Sequence, residues 1–138
     1  MPAEENKKLI EKIFNEVINE RNFDKLDQIF APNYVNYGIP NSKPGPDGFK
    51  EILQQFLDAY PDMKITIEHL IAEGNMVATS GYWTGTNKGS FMGAAPSNKP
   101  VKVSYIDLWK IENSKCIENW VQMDMIGMMM QTGAMPMP

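Results

Sequence analysis

Near Pro61 the spacing of apolar residues changes from about 3.6 to 2, and this switch constrains the fold more than any other feature of the 138-residue chain. Upstream, Leu9, Ile10, Ile13, Phe14, Val17 and Ile18 form the one-sided stripe of a helix over residues 4–21. A shorter helix carries Phe23, Leu26, Ile29 and Phe30 and stops at Pro32, after which "YVNYG" reads as a short strand. The turn-rich "IPNSKPGPDG" leads into a third helix over residues 47–60, with Phe49, Ile52, Leu53, Phe56 and Leu57 on one side; Pro61 ends it. Downstream, "MKITIEHLI" places Met63, Ile65, Ile67 and His69 on one face, "NMVATSGYWTG" is a second strand, and residues 101–111 and 116–123 are a third and a fourth. Between the second and third, "TNKGSFMGAAPSNKP" is too rich in Gly, Pro and Asn for regular structure. Helices first and antiparallel strands later predict an α+β fold, with three N-terminal helices on one face of a curved sheet. No repeat or linker interrupts it, so residues 1–138 read as one domain.

Several functions are disfavoured at once. Thirteen basic and seventeen acidic residues, with no Lys/Arg stripe, give no footprint for a phosphate backbone, so nucleic acid is not an expected partner. Cys116 is the single cysteine and His69 the single histidine, which excludes a disulfide within the chain and a Cys- or His-rich metal cluster. The opening "MPAEENKKLIEKI" is acidic where a secretory signal is basic, and no apolar run reaches the roughly 20 residues of a membrane span. These features predict a cytoplasmic protein without membrane association. "GTNKGSFMG" lacks the GK[ST] order of a phosphate loop. Seven of the eleven methionines fall in "MDMIGMMMQTGAMPMP", a tail that either packs across the sheet or a subunit or forms a ligand-facing lid.

The hairpin "YIDLWKIENSKCIENWVQMD" raises the question of whether Asp107 and Asp124 form a catalytic pair. A three-residue turn would pair Ile111 with Lys115 and Asp107 with Asn119, putting the odd residues of both strands on one face. That face, from Val101, Val103, Tyr105, Asp107, Trp109 and Ile111 to Ile117, Asn119, Val121 and Met123, is the more apolar and should meet the helices. Asp124 then lies on the other face, with Cys116, Ile106, Leu108 and Trp120. A two-residue turn would shift the register by one and place Asp107 opposite Trp120, with Asp124 on the same face but too far along the strand to share a proton. In either register Asp107 is a lone carboxylate in apolar surroundings, and burial there requires hydrogen bonds, a raised pKa or a wet cavity.

The stretch from "AYPDMKITIEHLIAEGNMVATSGYWTGTNKGSFMG" to "CIENWVQMDMIGMMMQTG" resembles the SnoaL-like polyketide cyclases of the NTF2-like superfamily. Its most specific pieces are Gly85-Thr86-x-x-Gly89-x-Phe91-Met92-Gly93, the Pro96-Ser97-Asn98-Lys99 turn, and Glu118-Asn119-Trp120 followed by Asp124, Gly127 and Gln131. The resemblance implies a conical barrel enclosing one pocket, no metal or cofactor, a hydrophobic small-molecule substrate, and a homodimer through the outer sheet face. Cyclases of this family close a ring by an aldol step with an aspartate as acid/base. That aspartate falls on Val121, while the family's pocket asparagine, glutamine and histidine fall on Asn36, Tyr105 and Asp107.

Asp107 is therefore the candidate general base, with Asn36, Tyr105 and Asn119 as donors to a substrate oxygen. His69 is placed to orient a water against Asp107, and Trp83 and Trp109 to stack on a flat ligand. Each also has a structural reading as a satisfied or packed core residue. Three functions stay open: a cofactor-free enzyme of cyclase, isomerase or hydratase type, a non-catalytic binding module, and a structural dimer whose pocket its own side chains fill.

Overall fold

The structure, a computed structural model, describes residues 2–39 and 42–136. Helix α1 (Pro2–Lys12) runs on into a π-helical segment, Ile13–Asn19, and a 3₁₀ turn, Phe23–Lys25, leads to α2 (Leu26–Ile29). Strand β1 (Phe30–Asn36) and helix α3 (Gly45–Ala59) precede the strands β2 (Lys64–Glu73), β3 (Met76–Thr86), β4 (Pro100–Glu112) and β5 (Lys115–Met123), and α4 (Met125–Thr132) follows. The five strands form one sheet in the order β1-β5-β4-β3-β2, antiparallel except for β1 alongside β5. The expected α+β architecture is thus present, with a fourth helix at its C-terminal end. Strand β1 begins before Pro32 and runs through it, a position open to proline because β1 is an edge strand.

The inner sheet face is the one foreseen for β4: Val101, Val103, Tyr105, Asp107, Trp109 and Ile111 are all buried. They meet the apolar stripes of the N-terminal helix, through Ile10, Phe14 and Val17, and of α3, through Leu53, Phe56 and Leu57. Ile106, Leu108 and Trp120 stand exposed on the outer face, where Tyr37 stacks on Trp120 at 5.3 Å.

The β4–β5 hairpin takes the two-residue turn of the second expectation, yet the partner of Asp107 is one given by neither. The turn has two residues, Asn113 and Ser114, with φ of 50° and 63° as a type I′ turn requires, and it pairs Ile111 with Cys116. A bulge at Ile117 then adds one residue, so Lys110 pairs with Glu118, Trp109 with Asn119 and Asp107 with Val121. The two offsets cancel in parity, which keeps Asp107, Asn119 and Val121 on one face. Cys116, expected on the outer face, lies before the bulge and is fully buried.

A second bulge lies in β2. Ile67 pairs with Gly81, but His69 pairs with Ser80, so Glu68 is the extra residue and the inward phase passes from Ile65 and Ile67 to Leu70 and Ala72. The start of β2 is clamped from outside the sheet. The Asn19 side chain donates to Ile65 O (2.9 Å) and accepts from Ile65 N (2.8 Å). Arg21 donates to Pro61 O and Met63 O. At the C-terminal end, Asp124 caps α4 by accepting from Gly127 N (2.8 Å), and Gln131 bonds both backbone groups of Lys102. The methionine tail therefore packs across the edge of β4 with Met128 buried; Met137 lies outside the described residues.

Candidate functional site

Two adjoining cavities open between the helices and the inner sheet face. The inner one, about 70 Å³, is walled by Phe14 and Ile18 of the π-helical segment, Phe49, Ile52, Leu53 and Phe56 of α3, and Ile65. Its polar lining is Asn36, Tyr105, Asp107 and Asn119, with Trp109, Val121 and Met123 beside them. The outer one, about 340 Å³, is lined by Gly38, Gln55, Phe91, Met92, Gln122 and Met125. Ile39, Ile52, Phe56, Val121 and Met123 border both, forming a neck between the chambers. Val121 lies close beside Gly38, where a Cβ would fall 2.5 Å from the valine side chain.

Asp107 is the centre of the polar wall. It is 6 % exposed, and Thr79 of the neighbouring strand β3 donates its hydroxyl hydrogen to Oδ1. Burial pushes the carboxyl up to about 7, against the opposing pull of the Thr79 hydroxyl and of the Trp109 indole, which faces the same carboxyl. The indole lies outside hydrogen-bonding geometry, so Trp109 Nε1 is buried with no acceptor among the described residues. Asn119 is committed on both sides of its amide: Nδ2 donates to Leu108 O (3.1 Å) and Oδ1 receives a long bond from the Tyr34 hydroxyl (3.5 Å). Asn36 Oδ1 accepts from Gly38 N (2.8 Å), and Tyr105 makes one long bond, 3.4 Å, to Thr66 O. Burial raises the pKa of Tyr34, Tyr105 and Cys116, so these groups stay protonated beside Asp107.

Six of the eight sequence-derived residues, Asn36, Tyr105, Asp107, Trp109, Asn119 and Val121, thus meet in one cavity. His69 does not: the β2 bulge turns it to the outer face, exposed and hydrogen-bonded to Ser80 Oγ at 2.8 Å. Trp83 does not either. It is fully buried in the core against Phe56 (5.8 Å) and Tyr60 (5.0 Å), away from the cavity lining. Asp124 is exposed at the head of α4, which rules out pairing with Asp107. Sequence reasoning missed Thr79 and Tyr34. The parity of β3, with Val77 and Trp83 inward, carried the signal for Thr79. Among the described residues no group of three or more His, Cys, Asp or Glu side chains is placed to hold a metal, and no helix is long and apolar enough to cross a membrane.

A curved sheet wrapped on helices around an inward-facing polar wall defines the NTF2-like fold, and solved structures share it. The chain aligns with TsrD from Streptomyces laurentii at a TM-score of 0.87 and 24 % identity, covering 96 % of this chain and 97 % of the other. A candidate SnoaL-like polyketide cyclase from Jannaschia sp. CCS1 gives 0.87 and 20 %, covering 97 % and 95 %. A SnoaL-like polyketide cyclase from Agrobacterium tumefaciens gives 0.75 and 21 %, covering 88 % and 94 %. Identities this low speak for the fold alone. Residues 8–132 match the profile of the SnoaL-like polyketide cyclases, and the chain belongs to that family. No functionally curated protein matches the sequence.

Proposed function

We propose that the protein is a cofactor-free acid/base enzyme acting on an apolar small molecule that bears an enolisable carbonyl, with Asp107 as the proton-transferring group. The observation that carries this reading is a lone carboxyl on the wall of an apolar cavity, bonded by a single side-chain hydroxyl. A carboxyl with a pKa near 7 is divided between its two forms at neutral pH, so it can accept a proton and return it. In the forward step the α-carbon C–H bond breaks, its proton passes to an Asp107 carboxylate oxygen, and the electron pair moves onto the carbonyl oxygen as an enolate. Tyr105 and Asn36, which line the same cavity, serve as donors for that oxygen. The enolate carbon then either attacks a second carbonyl, whose oxygen takes the proton back from Asp107 as the ring closes, or, where a double bond is conjugated with it, the resulting dienolate takes the proton back at its far carbon.

The family's catalytic position supports the reading from another direction. It is occupied by Val121, the direct cross-strand partner of Asp107, so the carboxyl reaches the same cavity from the adjacent strand. The test needs no natural substrate: deuterium incorporation at the α-carbon of 2-octanone in D₂O is followed by NMR. The parent accelerates exchange over buffer, with a rate that rises with pD through about 7, and Asp107→Asn lowers it to the buffer rate. Exchange unchanged in Asp107→Asn sinks the reading.

A further inference from the structure

Building on that reading, we infer that the ligand binds end-on: its polar head lies in the inner chamber against Asp107, and an elongated apolar body fills the outer chamber. The argument is one of size and lining. At about 30 Å³ per water-sized group, the inner chamber's 70 Å³ holds a carbonyl and little more, whereas the outer chamber's 340 Å³ takes on the order of ten carbon atoms. A rigid polycycle with its reacting carbon beside Asp107 would have to place a ring in the inner chamber, whose 70 Å³ is about half of the roughly 150 Å³ that takes up a single benzene. Ile52 and Phe56 of α3 hold one side of the neck, and Val121 the other. Gly38 lies beside Val121 in the outer lining, too close for any larger residue there.

The inner chamber is itself mostly apolar, and the polar side chains a ligand head meets there are Asp107, Tyr105, Asn36 and Asn119; the outer one is made largely of Ile39, Phe91, Met92, Met123 and Met125, flexible or flat side chains that adapt to a chain of variable shape. Gln55 and Gln122 are exposed amides at the outer rim, so a weakly polar far end of the ligand is accommodated there. The substrate class is therefore an extended molecule with a terminal or near-terminal carbonyl, reacting at its buried end.

Binding of straight-chain 2-alkanones from four to fourteen carbons, read by intrinsic tryptophan fluorescence and NMR shifts, tests this. Affinity is expected to rise by about two- to fourfold per methylene and to level off near twelve carbons, where the outer chamber is full. Gln55→Trp, a surface change on α3 at the rim, should move the levelling point to a shorter chain. A flat response to chain length, a tetracyclic ketone binding as tightly as the best alkanone, an unmoved levelling point in Gln55→Trp, or no binding each overturns the inference. Its fate is separable from that of the acid/base reading. Length dependence without α-exchange in the parent leaves end-on binding standing and removes the catalysis; exchange without length dependence does the reverse.

Discussion

Asp107 and His69 are both polar residues in alternating apolar strands, both expected on the inner face, and the fold sends them to opposite sides of the sheet. Asp107 belongs to β4, a central strand whose pairing with β3 runs unbroken from Met76↔Lys110 to Thr86↔Pro100. His69 belongs to β2, an edge strand with one extra residue. A central strand is held in phase by neighbours on both sides, whereas an edge strand can take a bulge at the cost of one ladder. Alternation is therefore a reliable guide to facing along β4, whose pairing with β3 is unbroken, and fails where an extra residue enters, at Glu68 of the edge strand β2 and at Ile117 of β5.

The largest effect expected from this contrast is on the pH dependence of stability. The carboxyl of Asp107 sits near 7 in the folded protein, against about 4 when unfolded, so between those values the folded state binds the proton more tightly. The contribution is fully present below about pH 4 and is lost as pH rises through about 7, on the order of 4 kcal/mol in all. Part of this is already lost at pH 5, so urea denaturation at pH 5 and pH 8 should show Asp107→Asn gaining on the parent by roughly 2.5 kcal/mol more at the higher pH. Equal gains at both pH values would mean that the carboxyl is not desolvated.

A smaller effect is expected at Thr79, which ties the Asp107 carboxyl to β3. Thr79→Val removes a donor to the ionised form, and the Asp107 midpoint in a carboxyl ¹³C NMR titration should move up by roughly one unit, about 1.4 kcal/mol. A midpoint that stays or falls would show that the hydroxyl bonds elsewhere in solution.

The smallest effect is the most informative about the edge. Deleting Glu68 removes the extra residue of the β2 bulge and leaves Ile65, Ile67, Leu70 and Ala72 in their present phase, so unfolding free energy should change by no more than about 1 kcal/mol. Were β2 regular, the same deletion would turn one half of the strand inside out and unfold the protein.

The hairpin shows why some of this was readable and some not. The shared face of Tyr105, Asp107, Asn119 and Val121 followed from alternation, yet the predicted partner of Asp107 was Asn119 and the actual one is Val121. A turn one residue shorter and a bulge one residue longer leave parity intact while moving every pair. Cys116 lies between those two events and so ended on the wrong side of the reading. The bulge at Ile117 has no Gly or Pro to mark it, whereas the one at Glu68 lies beside Gly81, where a Cβ would fall 2.0 Å from Thr66 O. The cavity's polar wall was legible because it lies on β4 and its partners; the volumes of the chambers were not, because they depend on how α3 and the loop after β3 settle over the sheet.

The double hydrogen bond from the Asn19 side chain to the backbone of Ile65 has a consequence for life in a crowded solution. An amide that offers both a donor and an acceptor to one residue copies what an added strand would present. With Arg21 on the carbonyls of Pro61 and Met63, it occupies the start of β2, where another chain could otherwise extend the sheet. The helix that closes the cavity thereby also guards the open border of the sheet against self-association.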